Sequence, residues 1–196
     1  MRRIALITTF FVLLLLVSSM SSSQGSLTQN ASASRVIYAN LRPADEQAVS
    51  AQTVVEGDYE FLQVPLITQS EYGCGAASLA MVLGYYGEKN DQKFYENCVG
   101  SGTTTADQIM ACAESLGYSA QLVSSPVEDL AKDIENGMPV IVAYNPGQYH
   151  WSVFAGYDDG FVVLANPWGY YDTVPAGEFS SMFSQTGNLG IKIWKE

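Results

Sequence analysis

The sequence predicts an α+β domain, with helices first and an antiparallel meander after them. Two observations carry this. Apolar residues recur at helical spacing up to about residue 136, and from Pro139 onward the period changes to that of buried strands. A globular composition supports both, with 47% hydrophobic, 15% charged and 12% aromatic residues. Such a chain can bury a core and is not mainly disordered.

The elements follow in order. Tyr59, Phe61, Val64 and Leu66 form a strand-like pattern and mark the start of the packed domain. From Cys74 to Tyr86 nearly every position is apolar or small, including Ala76, Leu79, Met81, Val82 and Leu83. A helix apolar all round belongs in a core, and Gly87 is placed to end it. A second helix is expected over Thr105 to Ser115, with Thr103 to Thr105 as caps and Gly117 as the stop. A third is expected over Pro126 to Asn136, capped by Ser125, with Val127, Leu130 and Ile134 on one face. Strands then follow at Pro139 to Tyr144, Trp151 to Tyr157, Phe161 to Ala165 and Ile191 to Trp194.

The N-terminus reads differently. Arg2 and Arg3 precede an uncharged stretch of 14 residues, Ile4 to Val17, and small polar residues follow. That suits an export signal over residues 1–25 and is short for a membrane span. The rival reading is an uncleaved N-terminal anchor, the one membrane contact expected. No cysteine follows the apolar run, so a lipid anchor has no support. Residues 26–57 are rich in Ser, Ala, Gln and Asn and read as a linker or short pro-segment, with a candidate strand at Arg35 to Tyr38 and a glycosylation sequon at Asn30-Ala31-Ser32. The domain then occupies residues 58–196, and secretion or display at the cell surface is the expected location.

Charge narrows the partners. Of nine Lys and Arg, Arg2 and Arg3 lie in the leader, which has no acidic residue. The rest carries 7 basic and 20 acidic residues, a net charge of −13. That sign repels phosphate backbones, so nucleic acid is not an expected partner.

The chemistry rests on few residues. His150 is the one histidine, and it opens an apolar strand after the turn-forming Asn145-Pro146-Gly147. A lone histidine is more often structural, but rims between sheet and loop are where function is usually placed. Of three cysteines, an odd count for an exported chain, Cys74 stands between Gly73 and Gly75 at the start of the buried helix. A helix start stabilises negative charge on sulfur. The ordinary fate of a free cysteine is a small buried hydrophobe, but flanking glycines open the backbone around it. Cys98 and Cys112 remain as a possible disulfide, whose pairing sequence alone leaves open.

Asn166 follows from strand geometry. Asp158-Asp159-Gly160 suits a three-residue loop with Gly160 left-handed. Tyr157 would then face Phe161, Ser152 would face Asn166 and His150 would face Trp168. His150 and Asn166 would share a face as diagonal neighbours, and the amide oxygen could fix the imidazole tautomer. A two-residue loop would put them on opposite faces. The bland alternative is a turn residue before Pro167. Gln69, five residues before Cys74, could join the Cys74 N–H in holding an oxyanion; otherwise it is a solvated loop glutamine.

These pieces match a pattern. Val64-Pro65-Leu66-Ile67-Thr68-Gln69 and Cys74 to Gly87, then His150-Trp151-Ser152-Val153-Phe154-Ala155-Gly156-Tyr157 and Ala165-Asn166-Pro167-Trp168-Gly169, resemble the double-glycine (bacteriocin-leader) peptidase family and its stand-alone relatives. The resemblance spans roughly Val64 to Gly169. It implies a papain-like fold, with N-terminal helices packed on an antiparallel sheet. It also implies thiol peptidase chemistry by a Cys74, His150 and Asn166 triad with Gln69 in the oxyanion hole, acting on peptide or protein without a cofactor. The chain departs from the family in three ways. It has Asn166 where Asp is usual, Gln69 stands one residue nearer the cysteine than in papain-like enzymes, and no phosphate-binding motif of the transporter-fused members is present.

Other function classes fit the sequence less well or use the same residues. Acyl or peptidyl transfer would use the same triad. A non-catalytic peptide-binding module is disfavoured by an intact Cys, His and Asn set. A zinc site is disfavoured because the cysteine gaps of 24 and 14 residues contain no close pair. A serine hydrolase lacks its G-x-S-x-G turn.

Overall fold

The computed structural model describes residues 53–56, 59–100, 102–158 and 160–195. The expected signal, sequon and Arg35 to Tyr38 strand lie outside these residues. Two short strands come first, β1 (Thr53–Glu56) and β2 (Tyr59–Leu62), paired antiparallel. β1 lies within the stretch read as linker. The strand expected to run through Leu66 stops at Leu62, where the Val64 N–H folds back onto the Leu62 carbonyl at 2.9 Å, a γ-type turn ahead of Pro65.

Helix α1 (Cys74–Tyr85) is buried at nearly every position, as an all-round apolar helix must be. Gly87 follows at φ +95°. Helix α2 (Gln92–Val99) had no expectation attached. Its Asp91 side chain accepts from the Phe94 N–H, and it buries little beyond Tyr95 and Val99. Helix α3 (Ala106–Ser115) opens on a reciprocal cap between Thr105 and Gln108. A disulfide joins Cys98 of α2 to Cys112 of α3. Strand β3 (Ser119–Ser124) leads to helix α4 (Val127–Glu135). The N-cap of α4 is Pro126 with no side-chain bond, so Ser125 is not the cap. Its backbone N–H is instead drawn to the Asn188 carbonyl.

The remaining strands are β4 (Val140–Tyr144), β5 (His150–Asp158), β6 (Phe161–Asn166), β7 (Tyr170–Pro175) and β8 (Leu189–Trp194), with α5 (Ala176–Ser184) between the last two. All pair antiparallel in one sheet, ordered β1-β2-β5-β4-β8-β3, with β6 and β7 branching from β5. Both faces of the sheet are covered. Leu79, Met81, Ile109, Ile141, Trp151, Val153 and Ile191 pack together on the α1 side. Leu130, Val142, Tyr144, Phe154, Leu164, Phe179 and Phe183 pack on the α4 and α5 side. Double coverage explains why β4 is buried at every residue. Among the described residues no helix is long and apolar enough to cross a membrane.

The β5–β6 hairpin corrects the expected loop. Asp158, not Tyr157, faces Phe161, so two residues separate the strands rather than three. That register alone would turn Asn166 away from His150. A bulge between Phe154 and Gly156 inserts Ala155 and shifts the pairing by one, so Val153 faces Ala165. Continuing the count sets Ser152 against Asn166. A three-residue loop with a left-handed glycine does occur, one hairpin later: Asn166 faces Tyr170, and Gly169 has φ +93°.

Candidate active site

Cys74 is the first residue of α1, with Gly73 as N-cap. It is half-buried and unpaired. The glycines beside it have different work. A Cβ on Gly75 would meet the Cβ of buried Thr104 at 2.7 Å, so the helix start lies directly on that loop. Two residues before Cys74, Tyr72 is left-handed at φ 60°, a conformation bulky residues seldom take.

His150 and Asn166 are both buried, and His150 Nε2 lies 3.2 Å from Asn166 Oδ1. The same oxygen accepts the Trp168 backbone N–H at 3.1 Å, while Asn166 Nδ2 donates to the Tyr144 hydroxyl at 3.3 Å. A backbone N–H can only donate, which fixes which end of the amide faces the histidine. An oxygen there requires a hydrogen on His150 Nε2, leaving Nδ1 as the basic nitrogen. The turn reading of Asn166 holds as well, because the Gly169 N–H bonds the Asn166 carbonyl at 2.9 Å. One residue closes the turn and holds the imidazole.

Two aromatic residues pack on the imidazole. Trp168 stacks on the imidazole, with centroids 4.6 Å apart and planes 20° apart. Tyr144, opposite His150 on β4, meets it edge-on at 5.7 Å. Tyr149 packs edge-on against Trp151, whose Nε1 donates to the Thr104 carbonyl at 2.9 Å. Burial holds His150 below the ordinary histidine value, and the Asn166 bond partly offsets this. Burial raises the Tyr144 and Tyr149 phenols, and the negative charge of an ionised Cys74 raises both further.

Gln69 is tied to the loop after Asn166, its N–H donating to the Pro167 carbonyl at 2.7 Å. Its Oε1 is buried without a hydrogen-bond partner, an arrangement that costs about 1–3 kcal/mol. A cleft of about 320 Å³ opens beside the helix start, between the Ser70–Gly73 loop, Glu96 of α2 and Thr104. Ser70 donates to Glu96 there and, as the largest influence, holds its carboxyl below the usual range. Among the described residues no group of His, Cys, Asp and Glu could hold a metal ion.

Sequence reasoning missed Trp168 as a stacking partner, and Tyr144, Tyr149 and Asp172 altogether. Continuing the strand count through the next hairpin would have reached Asp172. Tyr144 required knowing that β4 and β5 pair at their ends.

No match was found among curated proteins. Among solved structures, the chain is similar to a double glycine motif protease from an AMS/PCAT transporter, solved in complex with the leader peptide. The identity is 26% and the TM-score 0.59, covering 68% of this chain and 93% of that one. It has the same fold as the peptidase domain of Streptococcus ComA, at 23% identity and TM-score 0.60, covering 68% of this chain and all of that one. The model of the Peptidase_C39 like family matches residues 61–191. That is more than half of the chain, which belongs to this papain-like, cysteine-peptidase-type family.

Proposed function

We propose that the chain is an exported cysteine peptidase with Cys74 as nucleophile, His150 as base, Asn166 as orienting residue and Gln69 as oxyanion donor. The observation that carries this is the His150–Asn166 bond, held by the Trp168 N–H. It leaves Nδ1 of the chain's one imidazole as the proton acceptor.

The proton account is simple. Nδ1 takes the proton from the Cys74 thiol, and the thiolate attacks a peptide carbonyl carbon. The oxyanion takes hydrogen bonds from the Cys74 N–H at the helix start and from the Gln69 amide. Nδ1 then gives its proton to the leaving amine, and a thioester remains. Water, deprotonated by the same nitrogen, attacks the thioester and releases the acid and the thiol. Throughout, Nε2–H stays on Asn166 Oδ1. The buried, neutral imidazole suits a base.

A peptide is the expected substrate. The similar transporter protease was solved with a leader peptide. Residues 1–25 are read as the export signal, checked by N-terminal sequencing of chain recovered outside the producing cell. The mechanism is tested by offering a peptide library to wild type and Cys74→Ala under mild reduction. Cleavage by wild type alone is expected, and equal cleavage by both would sink the reading.

A further inference from the structure

On three neighbouring strands, His150 of β5, Asn166 of β6 and Asp172 of β7 share one face. Asn166 faces Tyr170 and Leu164 faces Asp172, so Asp172 is the diagonal neighbour of Asn166. Tyr144 of β4 continues the row beyond His150. The Asn166 amide is thus addressed from both ends. Its oxygen takes N–H groups from His150 and Trp168. Its nitrogen donates to the Tyr144 hydroxyl at 3.3 Å, and Asp172 stands diagonally beside it on the same face, its carboxyl drawn down by the Asn166 amide. An ionised carboxylate only accepts, so one placed beside the amide nitrogen favours the orientation that the Trp168 N–H requires.

Asp172 is half-buried. Burial pushes its carboxyl up, the Thr173 backbone N–H and the Asn166 amide draw it back, and Glu178 of α5 pushes it further up. Glu178 acts on Asp172, and Asp172, Tyr170 and Cys74 act on the Tyr144 phenol beside it. A carboxylate kept partly out of water beside a site is a functional candidate.

We propose that Asp172 is a positioning residue for the Cys74–His150 chemistry. Its carboxylate holds the Asn166 amide, keeps Oδ1 on the imidazole, and supplies from behind the amide a negative field that favours the imidazolium formed during reaction. This rests on the catalytic reading of Cys74 and His150 given above.

The test exploits two singularities of the chain, one histidine and one unpaired cysteine. The ring C–H resonance of His150 is titrated by NMR in wild type and Asp172→Asn, each also carrying Cys74→Ala. Alkylation of Cys74 by iodoacetamide is followed against pH in chains that retain the cysteine. Asp172→Asn is expected to lower the His150 midpoint by about half a pH unit, less than a directly contacting charge would, and to slow alkylation severalfold at pH 6. The double variant Asn166→Asp/Asp172→Asn puts the carboxylate on the imidazole and the amide behind it, and should restore the alkylation rate and raise the midpoint to the wild-type value or above it. An unchanged midpoint, a slower alkylation without a midpoint shift, or no restoration in the double variant each overturn the proposal. His150→Gln separates the two levels. If it leaves alkylation and its pH dependence unaltered, the catalytic reading itself fails. If it abolishes the fast reaction while Asp172→Asn alters nothing, only the role of Asp172 fails.

Discussion

The Trp168 indole lies nearly parallel to the His150 imidazole, with ring centroids 4.6 Å apart. The indole is itself 41% exposed, so it covers the imidazole while remaining at the surface. With Tyr144 edge-on, two of the directions in which His150 could tilt are closed. Trp168→Ala should therefore cost only about 1 kcal/mol of stability, yet lower kcat/KM on a cleaved peptide roughly tenfold through looser positioning. Trp168→Phe should retain most of the rate. Equal loss in both variants would argue for some other role of the indole.

The buried imidazole also sets a sign for stability against pH. Its folded value lies below its ordinary 6.5, first because of burial. Between the two values the unfolded chain binds more protons, so stability rises with pH in that window. The contribution is present above pH 6.5 and is lost as pH falls through the folded value. Urea titrations at pH 7.5 and 5.5 should show wild type losing stability relative to His150→Gln on acidification. The acidic limb of activity should lie below 6.5. A limb above 6.5 would contradict a desolvated neutral base.

Gly75 and Thr104 form a contact with no slack, since an added Cβ would lie 2.7 Å from the Thr104 Cβ. The Thr104 carbonyl also receives the Trp151 Nε1–H. Gly75→Ala should thus destabilise by about 1–3 kcal/mol and reduce activity by shifting the helix start. Combined with Thr104→Gly, the two changes should be markedly non-additive. Simple additivity in denaturant titrations would show that the contact relaxes elsewhere.

The Cys98–Cys112 disulfide links α2 to α3 across 14 residues of sequence. Closing a loop of that length is worth about 3 kcal/mol in the chain-entropy account. Cys98→Ser/Cys112→Ser should lose roughly that much unfolding free energy, while Cys74 keeps its alkylation rate. A large fall in that rate would mean that α2 helps hold the loop before Cys74 through Glu96 and Ser70.

Some of this was legible in local chemistry. An apolar run behind Gly73 and ended by Gly87 reads as the buried helix that carries Cys74, because helix burial and termination are set within a few residues. The strands β4, β5 and β6 were visible from their apolar runs for the same reason. Helix α2, β7 and α5 were not, since each buries only part of itself and gains most of its stability from neighbours distant in sequence. The His150–Asn166 pairing lay between these cases. The side-chain period of a strand is two, so one residue decides which face Asn166 takes. The hairpin loop is shorter than its residues suggest, and Ala155 bulges to compensate. That bulge forms where Phe61 of β2 and Val163 of β6 both pair with Gly156. By itself the sequence determined the residue types, the family resemblance and the helix that presents the thiol. Only the tertiary structure decided the register, and with it the oxygen that His150 meets, the indole that covers it and the carboxylate behind Asn166. Those depend on strands meeting side by side, and neither strand encodes the other's alignment.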